Sequence, residues 1–575
     1  MTNLQVLGML AELARLTSLE EGSPQAFKVR AYENAVAAVE GYPGEIAALD
    51  QKQLEAIKGL GASTAAKIRE LVDTGTVAKL EELRTRYPAP FVQLMRIPGL
   101  GPKTLLRLRD ELGVEDLASL QAAISEERLR NVAGLGKTTE EKLAKAIERL
   151  GLLDQDRRTP IADALPVARQ LASDLRKIRG VEAAEPAGSL RRFAETIGDI
   201  DIVVAAPDGT AVMEAVSGHA LSDEVILSGP TKTSIRLPSG MQVDVRVVEP
   251  DQMGAALLYF TGSKAHNIAL RQRAIDRGWL LNEYGLFDDD RVVASKTETE
   301  VYAALGTSFI PPPLRENSGE IQAAAAGELP EVVTVEKIRG DLHFHSDQSG
   351  DGRASLEEMV EAAARRGLRY VGVTEHGEDL TINGSSRDQM RAHRKRIEKL
   401  QEKYPKLRML FGCELNIGPE GGLDYDPDFR LEFEWCVASI HSHFDLPSAR
   451  QTERVLTAIS DPSVSAIGHL TGRYIGRRPG VELNVDAILD GLREAGVALE
   501  VNGALDRLDA SAEVIHRAVA KGVKLVISTD SHHPSDLARV EFGVLNAQRG
   551  WAQAGDVVNT LPTERFLKWA RARRV

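Results

Sequence analysis

The sequence predicts a multidomain α+β and α/β chain: a helical N-terminal region, an α+β middle, and a β/α barrel at the C-terminal end. Three observations carry this. A Gly-Leu-Gly turn recurs three times in the first 150 residues, among helical patterns. From about residue 160, β-branched apolar runs alternate with helical segments. Beyond Gly340 strand and helix signals alternate, and ten of the twelve histidines lie there. A chain of 575 residues accommodates three or more domains, and 43% hydrophobic content is enough to build their cores.

The N-terminal turns are Ile57-Lys58-Gly59-Leu60-Gly61, Ile97-Pro98-Gly99-Leu100-Gly101 and Val132-Ala133-Gly134-Leu135-Gly136. Each precedes a small or hydroxyl residue and a basic, helix-forming stretch. This pattern resembles the helix-hairpin-helix motif. Gly59, Gly99 and Gly134, with Gly61, Gly101 and Gly136, permit a tight turn, and the backbone N–H groups opening the next helix can hold a DNA phosphate.

In the middle region Ile200–Val204, Thr233–Leu237 and Val243–Val248 read as strands of a sheet. Side chains two apart on a strand share a face, so Asp199 and Asp201 can reach one metal pair. Asp244, expected on a neighbouring strand, supplies a third carboxylate. Such hard oxygen ligands suit Mg²⁺ or Mn²⁺.

Gly188-Ser189 followed by Asp199-x-Asp201 resembles the nucleotidyltransferase signature. With Leu258-Tyr259-Phe260-Thr261-Gly262-Ser263, His266-Asn267 and Arg271, residues 1 to about 315 are similar to the family X DNA polymerases. The resemblance implies catalytic metal ligands at Asp199, Asp201 and Asp244. It implies triphosphate contacts from Ser189, Arg192 and the backbone at Gly198. Tyr259 and Phe260 then face the sugar, Asn267 and Arg271 lie on the minor-groove side, and Arg246 pairs with a catalytic carboxylate. Lys264 departs from the family, which has an aspartate there. Lys67 occupies the place of a Schiff-base lysine, which must be partly neutral to act; Lys28 and Tyr32 match the family around it, whereas Asn34 and Ser63 replace basic residues. A basic helix face along DNA is the plainer reading of Lys67.

Beyond residue 340 the expected strands are Tyr370–Thr374, Leu410–Glu414, Cys436–Ile440, Ala466–Gly468, Ala498–Val501 and Lys524–Ser528, with helices such as Leu356–Arg366 and Val485–Ala495 between them. Nine potential ligands fall in order: His343, His345, Asp351, His376, Glu414, His441, His469, Asp530 and His532. Several stand at the C-terminal end of their strand, where β/α barrels place chemistry. The segments Asp341-Leu342-His343-Phe344-His345, Glu375-His376, Cys413-Glu414, His441, Gly468-His469 and Asp530-Ser531-His532 resemble the PHP (polymerase and histidinol phosphatase) family. That resemblance implies up to three metals: one on His343, His345, Glu414 and Asp530, a second bridged by Glu414 to His441 and His469, and a third on Asp351, His376 and His532. Mixed imidazole and carboxylate shells fit Zn²⁺, Mn²⁺ or Fe²⁺. Glu375 replaces the family's aspartate beside a ligand. Arg473, Arg477 and Arg478 read as an anion-binding rim or a solvated charge run; His393, His443, His516 and His533 read as structural or surface residues.

The expected domains are an 8-kDa-like DNA-binding domain (1–85), a fingers-like helix-hairpin-helix domain (86–152), a nucleotidyltransferase palm (153–252), a thumb with nucleotide selection (253–315), a linker (316–337) suggested by Pro311-Pro312-Pro313 and the Ala- and Gly-rich Glu320–Glu328, and a PHP phosphoesterase domain (338–575). The reading is a gap-filling DNA polymerase of DNA repair. It carries a metal-dependent 3′→5′ exonuclease, with abasic-site endonuclease action as an extension. Its partners would be gapped or nicked double-stranded DNA and deoxynucleoside triphosphates, and it would act as a monomer. Two alternatives remain: a mainly end-processing nuclease whose polymerase site serves as a clamp, and a DNA-binding repair scaffold. No run of about 18 apolar residues predicts a membrane span. The opening Met1-Thr2-Asn3-Leu4-Gln5 lacks a secretion pattern, and Cys413 and Cys436 sit in apolar stretches, so the expected compartment is the cytoplasm. A net charge of −13 argues against blanket nucleic-acid binding, although residues 1–150 hold about as many basic as acidic groups.

Overall fold

The fold is that of a computed structural model, in which the chain divides into two compact units: residues 1–157 with the segment 476–479, and residues 158–475 with 480–575. The described residues are 3–572, apart from 41, 43–44, 98, 133, 150–157 and 381. Met1-Thr2, the Pro98 and Ala133 positions of two expected turns, and the expected 152/153 boundary lie outside them.

Among the described residues of 3–149 the regular elements of the first unit are helices, around a core that includes Leu10, Leu13, Leu16, Ile68, Leu83, Leu105 and Leu108. The three expected turns share one geometry. Gly59, Gly99 and Gly134 have φ of 100°, 89° and 83°, a region glycine enters without steric cost. In each, the N–H of the following leucine donates back three residues, at 3.0, 3.0 and 2.9 Å, and that leucine is buried. The second glycine precedes the helix Ala62–Thr74, Pro102–Leu112 or Lys137–Arg149. A side chain at Gly61, Gly101 or Gly136 would meet nothing within 4 Å, so the backbone there is open to a ligand.

After the helix Ile161–Arg176, the second unit forms a five-stranded sheet: β1 (Ala183–Pro186), β2 (Asp199–Ala205), β3 (Glu224–Ser228), β4 (Lys232–Arg236) and β5 (Gln242–Val248). Its order is β1-β2-β5-β4-β3, and only β2 and β5 are parallel. The alternation predicted for β2 holds: Ile200, Ile202 and Val204 are fully buried, while Asp199 and Asp201 lie on the other face. The turn before β2 carries a one-turn helix, α1 (Gly188–Arg191). Next come α2 (Met253–Thr261), α3 (Lys264–Ile275) and a three-stranded antiparallel sheet over residues 280–294.

The stretch expected as a linker is corrected here. Residues 320–326 form α4 (Glu320–Ala326), and its Ile321 and Ala324 are buried in the same core as Leu258, Leu270 and Tyr302. The Ala-rich composition that suggested a boundary is also the best helix-forming composition, and burial of one face decided between them.

The C-terminal part is a seven-stranded parallel sheet in sequential order: β6 (Gly340–Phe344), β7 (Tyr370–His376), β8 (Arg408–Asn416), β9 (Trp435–Ser439), β10 (Ala466–Ile467), β11 (Ala498–Asn502) and β12 (Leu525–Ser528). A parallel bridge between Phe344 and Ser531 joins the first strand to the segment after the last, nearly closing a barrel. Helices such as Leu356–Arg365 and Val485–Ala495 cover it, as does α5 (Val540–Arg549). No helix of the described residues is long and apolar enough to cross a membrane.

Candidate active sites

The parallel register sets Asp201 directly beside Asp244, with Asp199 one pleat away on the same face of β2. Burial pushes the Asp201 carboxyl up to about 7, and the like charges of Asp199 and Asp244 add to the rise. Asp244 is pushed up by burial too. Hydrogen bonds from Lys232, Gln242 and Ser234 outweigh this and hold it below the ordinary carboxylate range. Three acids so arranged repel one another and favour a cation among them. Gly188 is required here: with φ at 60°, a Cβ on it would sit 2.4 Å from Asp201 Oδ2.

Arg246 is near enough for its charge to favour ionised Asp201. Its guanidinium lies over the Phe260 ring, 4.8 Å from the centroid, and the cation paired with Asp244 is Lys232, at 2.8 Å. Arg246 and Asp244 share a face of β5, but α2 brings Phe260 over that face and the arginine stacks on it.

Of the expected nucleotide contacts, Ser189 stands in α1, Gly198 is exposed just before Asp199, and Arg192 follows α1. Arg192 donates to the Thr261 carbonyl at 2.5 Å and to Glu316 at 3.1 Å. Its neighbour Arg191 is locked on the buried Glu298 at 2.9 and 2.7 Å, with Arg315 on the same carboxylate at 2.6 Å, which ties the turn to α2 and its surroundings. Tyr259 and Phe260 meet edge to face, with centroids 5.1 Å apart. Asn267 donates to the Tyr259 carbonyl at 2.6 Å, and Arg271 lies 5.2 Å from the Tyr259 ring. The motif residues therefore gather around Tyr259. Lys264 is exposed at the start of α3.

In the barrel all nine expected ligands converge around Glu414. Its Oε1 lies 3.0 Å from His469 Nε2 and 3.1 Å from His441 Nε2. Its Oε2 lies 2.9 Å from His376 Nδ1, 3.4 Å from His343 Nε2 and 3.5 Å from His345 Nε2. Asp530 reaches His345 at 3.5 Å and His343 at 3.7 Å, while Asp351 faces His376 at 3.3 Å and His532 at 3.5 Å. The ligating atoms form three groups within 4.8 Å: His345, His376 and His532; His343, His345 and Asp530; His376, Glu414 and His441. The grouping is thus more interleaved than the family pattern implies, since His345 and His376 each belong to two groups.

The donor set fits cations. His343 Nε2, His345 Nε2 and His376 Nδ1 are buried without hydrogen-bond partners, and all three point at one carboxylate oxygen. Burial pushes His345 down to about 4, and the adjacent His376 and His532 rings lower it further, so its lone pair is free at neutral pH. Against burial, nearby histidines hold Glu414 well below the ordinary range.

The supporting layer was in part missed by sequence reasoning. Glu500 accepts from His343 Nδ1 at 2.6 Å, from the backbone N–H of His469 at 2.5 Å and from the Ser528 hydroxyl, holding the His343 ring and the main chain at His469. An acid inside the apolar run Ala498-Leu499-Glu500-Val501 was the available signal. Glu375 accepts from the N–H and hydroxyl groups of both Ser346 and Ser349 and pairs with buried His393, and Ser349 Oγ lies 3.2 Å from His345 Nδ1. The larger acid therefore supports a ligand from behind. Arg473 is not part of an open rim: it forms a two-pronged ion pair with Glu195.

In the first unit Lys67 Nζ donates to Ser63 Oγ at 2.9 Å and lies 5.8 Å from the Tyr32 ring. Burial lowers its pKa.

Comparison with known proteins assigns the parts. The helix-hairpin-helix domain family matches residues 1–77, the SAM-like helix-hairpin-helix tandem 91–149, the DNA polymerase beta thumb 256–316 and the PHP domain 341–504. The DNA polymerase/3′-5′ exonuclease PolX of Bacillus subtilis (strain 168) is 36% identical over 571 residues, covering 98% of this chain and 99% of that protein. The chain belongs to the family X DNA polymerases that carry a C-terminal PHP domain. Smaller relatives match a part of this family X chain: a probable phosphatase of Clostridium acetobutylicum is 28% identical over 201 residues, 33% of this chain and 78% of its own length. Another, from Caldicellulosiruptor saccharolyticus, is 25% identical over 209 residues, 35% of this chain and 83% of its own length.

Proposed function

We propose that this enzyme extends the 3′ end of a primer at short gaps in DNA and hydrolyses 3′ termini with its PHP domain, in the service of DNA repair. The observation that carries the polymerase half is the register that puts Asp201 beside Asp244 on parallel strands, with Asp199 on the same face. Asp199, Asp201 and Asp244 would hold Mg²⁺ or Mn²⁺. When bound, such cations align the primer hydroxyl with the triphosphate and offset charge on the attacking and leaving oxygens. Ser189, Arg192 and the Gly198 backbone bind the triphosphate. Tyr259 and Phe260 close against the sugar, where bulk excludes a 2′-hydroxyl, while Asn267 and Arg271 lie along the minor groove. The three glycine turns of the first unit grip DNA phosphates through open backbone.

For the nuclease half, the support is the cage of unpartnered imidazole nitrogens around Glu414. His343, His345, Glu414 and Asp530, with His441 and His469, and with Asp351, His376 and His532, would hold up to three divalent cations among Zn²⁺, Mn²⁺ and Fe²⁺. These ions supply Lewis acidity and activate water near neutral pH. Glu500 and the Glu375–Ser349 pair orient the imidazoles that receive them.

The test is a gapped duplex labelled at the primer 5′ end, incubated with the full chain in Mg²⁺ or Mn²⁺. Asp199→Ala with Asp201→Ala should abolish extension and spare trimming; His343→Ala with Glu414→Ala should do the reverse. A wild-type chain that neither extends nor trims would leave only a DNA-binding scaffold. Lys67→Ala assayed on a 5′-deoxyribose phosphate end asks whether that partly desolvated amine is a lyase or only a DNA contact.

A further inference from the structure

The turn that links the nucleotide-binding residues to Asp199 is held from outside the palm. Between Ser189 and Asp199 the chain passes through Arg192, Phe193 and Glu195, and each meets a side chain of the PHP portion. The Arg192 carbonyl accepts from Arg549 at 2.5 Å. Phe193 is buried with φ at 58°, a left-handed conformation disfavoured for a bulky side chain, and its ring stacks on Phe542 at 6.1 Å and 16°. Glu195 is gripped by Arg473 at 3.0 and 2.6 Å, and Arg473 Nε is itself anchored on the Arg507 carbonyl at 2.8 Å. A turn of this shape persists because its surroundings over-determine it, and those surroundings belong to α5 and to the loop after His469.

Glu316 makes the arrangement more than a buttress. One of its oxygens, Oε1, accepts from Arg192 Nε at 3.1 Å and from Arg549 at 3.0 Å. An arginine that is to bind a triphosphate must leave or share its carboxylate. With Arg549 present, Glu316 keeps a cationic partner when Arg192 turns to phosphate. Without it, Arg192 alone would neutralise a solvent-exposed acid and would be held there more of the time.

We infer that Arg549 of the PHP portion is a positioning residue for the polymerase reaction: it holds the Arg192 turn in place and, as the second partner of Glu316, releases Arg192 for the incoming nucleotide. The inference rests on the polymerase reading above. It makes nucleotide affinity in the palm depend on a side chain from the domain that cuts DNA, through contact rather than through shared substrate.

The experiment is steady-state single-nucleotide extension on the gapped duplex by the full chain, with trimming measured in parallel. Arg549→Ala should raise KM for the nucleotide about ten-fold and leave kcat within about two-fold, the pattern of a lost binding interaction. Trimming should be unchanged. Adding Glu316→Gln should bring KM back to within about three-fold of wild type, because the competing charge is gone; a purely structural role gives no reason for that rescue. Arg549→Gln keeps most of the bulk and should raise KM in the same way if Arg549→Ala disturbs folding. An unchanged KM in both variants, no rescue by Glu316→Gln, or parallel loss of extension and trimming with a lowered melting temperature overturns the inference. A wild-type chain that extends nothing overturns the polymerase reading and this inference with it.

Discussion

At the residue scale the two sites solve opposite charge problems. In the palm three acids meet, and the penalty falls on Asp201. Its folded-state pKa of about 7 lies above the ordinary 3.8. Between those values the folded chain binds a proton that the unfolded chain does not, so stability falls as pH rises through the window, and the full penalty is present above pH 7. Asp201→Asn removes it. At pH 8 without divalent cations this variant should be more stable by about 1–2 kcal/mol, allowing for the solvent that reaches the site, with a gain that shrinks as pH falls toward 4. Extension should be lost. Thermal unfolding at several pH values checks this, and a variant no more stable than wild type at pH 8 would contradict it. In the barrel the decisive residue is one that spacing does not reveal. Glu500→Gln should lower trimming and bound divalent cation by roughly 10–100-fold, because His343 and His469 lose a common anchor, with extension intact; cation content measured on the purified protein separates this from a folding defect. The convergence of the nine barrel residues could be read in the sequence because their residue types are costly to bury without partners. Lys232, the partner of Asp244, could not, since its position depends on an antiparallel pairing that no local pattern encodes.

At the element scale, periodicity carried most of the information. Strands β2 and β5, which alternate at their N-terminal ends, and the barrel strands from β7 onward, buried on both faces, lie within a few residues of their apolar runs. What failed were elements whose composition has two meanings. The α4 segment looked like a linker until a buried face made it a helix. The edge strand β3 is exposed along its whole length although its Val225-Ile226-Leu227 run is apolar. Gly188 belongs to this scale, because it lets the end of the preceding turn pack on β2. Gly188→Ala would place a methyl 2.4 Å from Asp201 Oδ2 at a φ of 60°. The backbone cost is about 1–2 kcal/mol, which the fold should tolerate, while displacement of the carboxylate should reduce extension by roughly 100-fold. Trimming should remain at wild-type level. If the alanine variant extends normally, the close packing of α1 on β2 is not what holds the acids in place.

At the scale of the second unit, the seating of the palm on the barrel could not be foreseen, since it arises from contacts hundreds of residues apart. The seating has a hydrophobic centre as well as a charged rim. Leu508, from the loop after β11, is fully buried within the core formed by Ile161, Leu190, Phe193, Ile197 and the strands of the palm. The palm core is thus completed by a residue of the barrel portion, and its stability should respond to a substitution made there. Leu508→Ala leaves a cavity and should cost about 2–5 kcal/mol. The loss should be uneven. Amide exchange of peptides covering 199–205 and 242–248 should quicken, because their covering side chain is gone, while 370–376 and 408–416 on the far side of the barrel should exchange as before. Exchange that rises only in the barrel strands would mean that Leu508 stabilises its own loop, and that the palm holds together without its neighbour. Exchange that rises first in the palm would place the two catalytic halves in one cooperative structure, a physical basis for Arg549 to act on nucleotide binding from the other side of that contact.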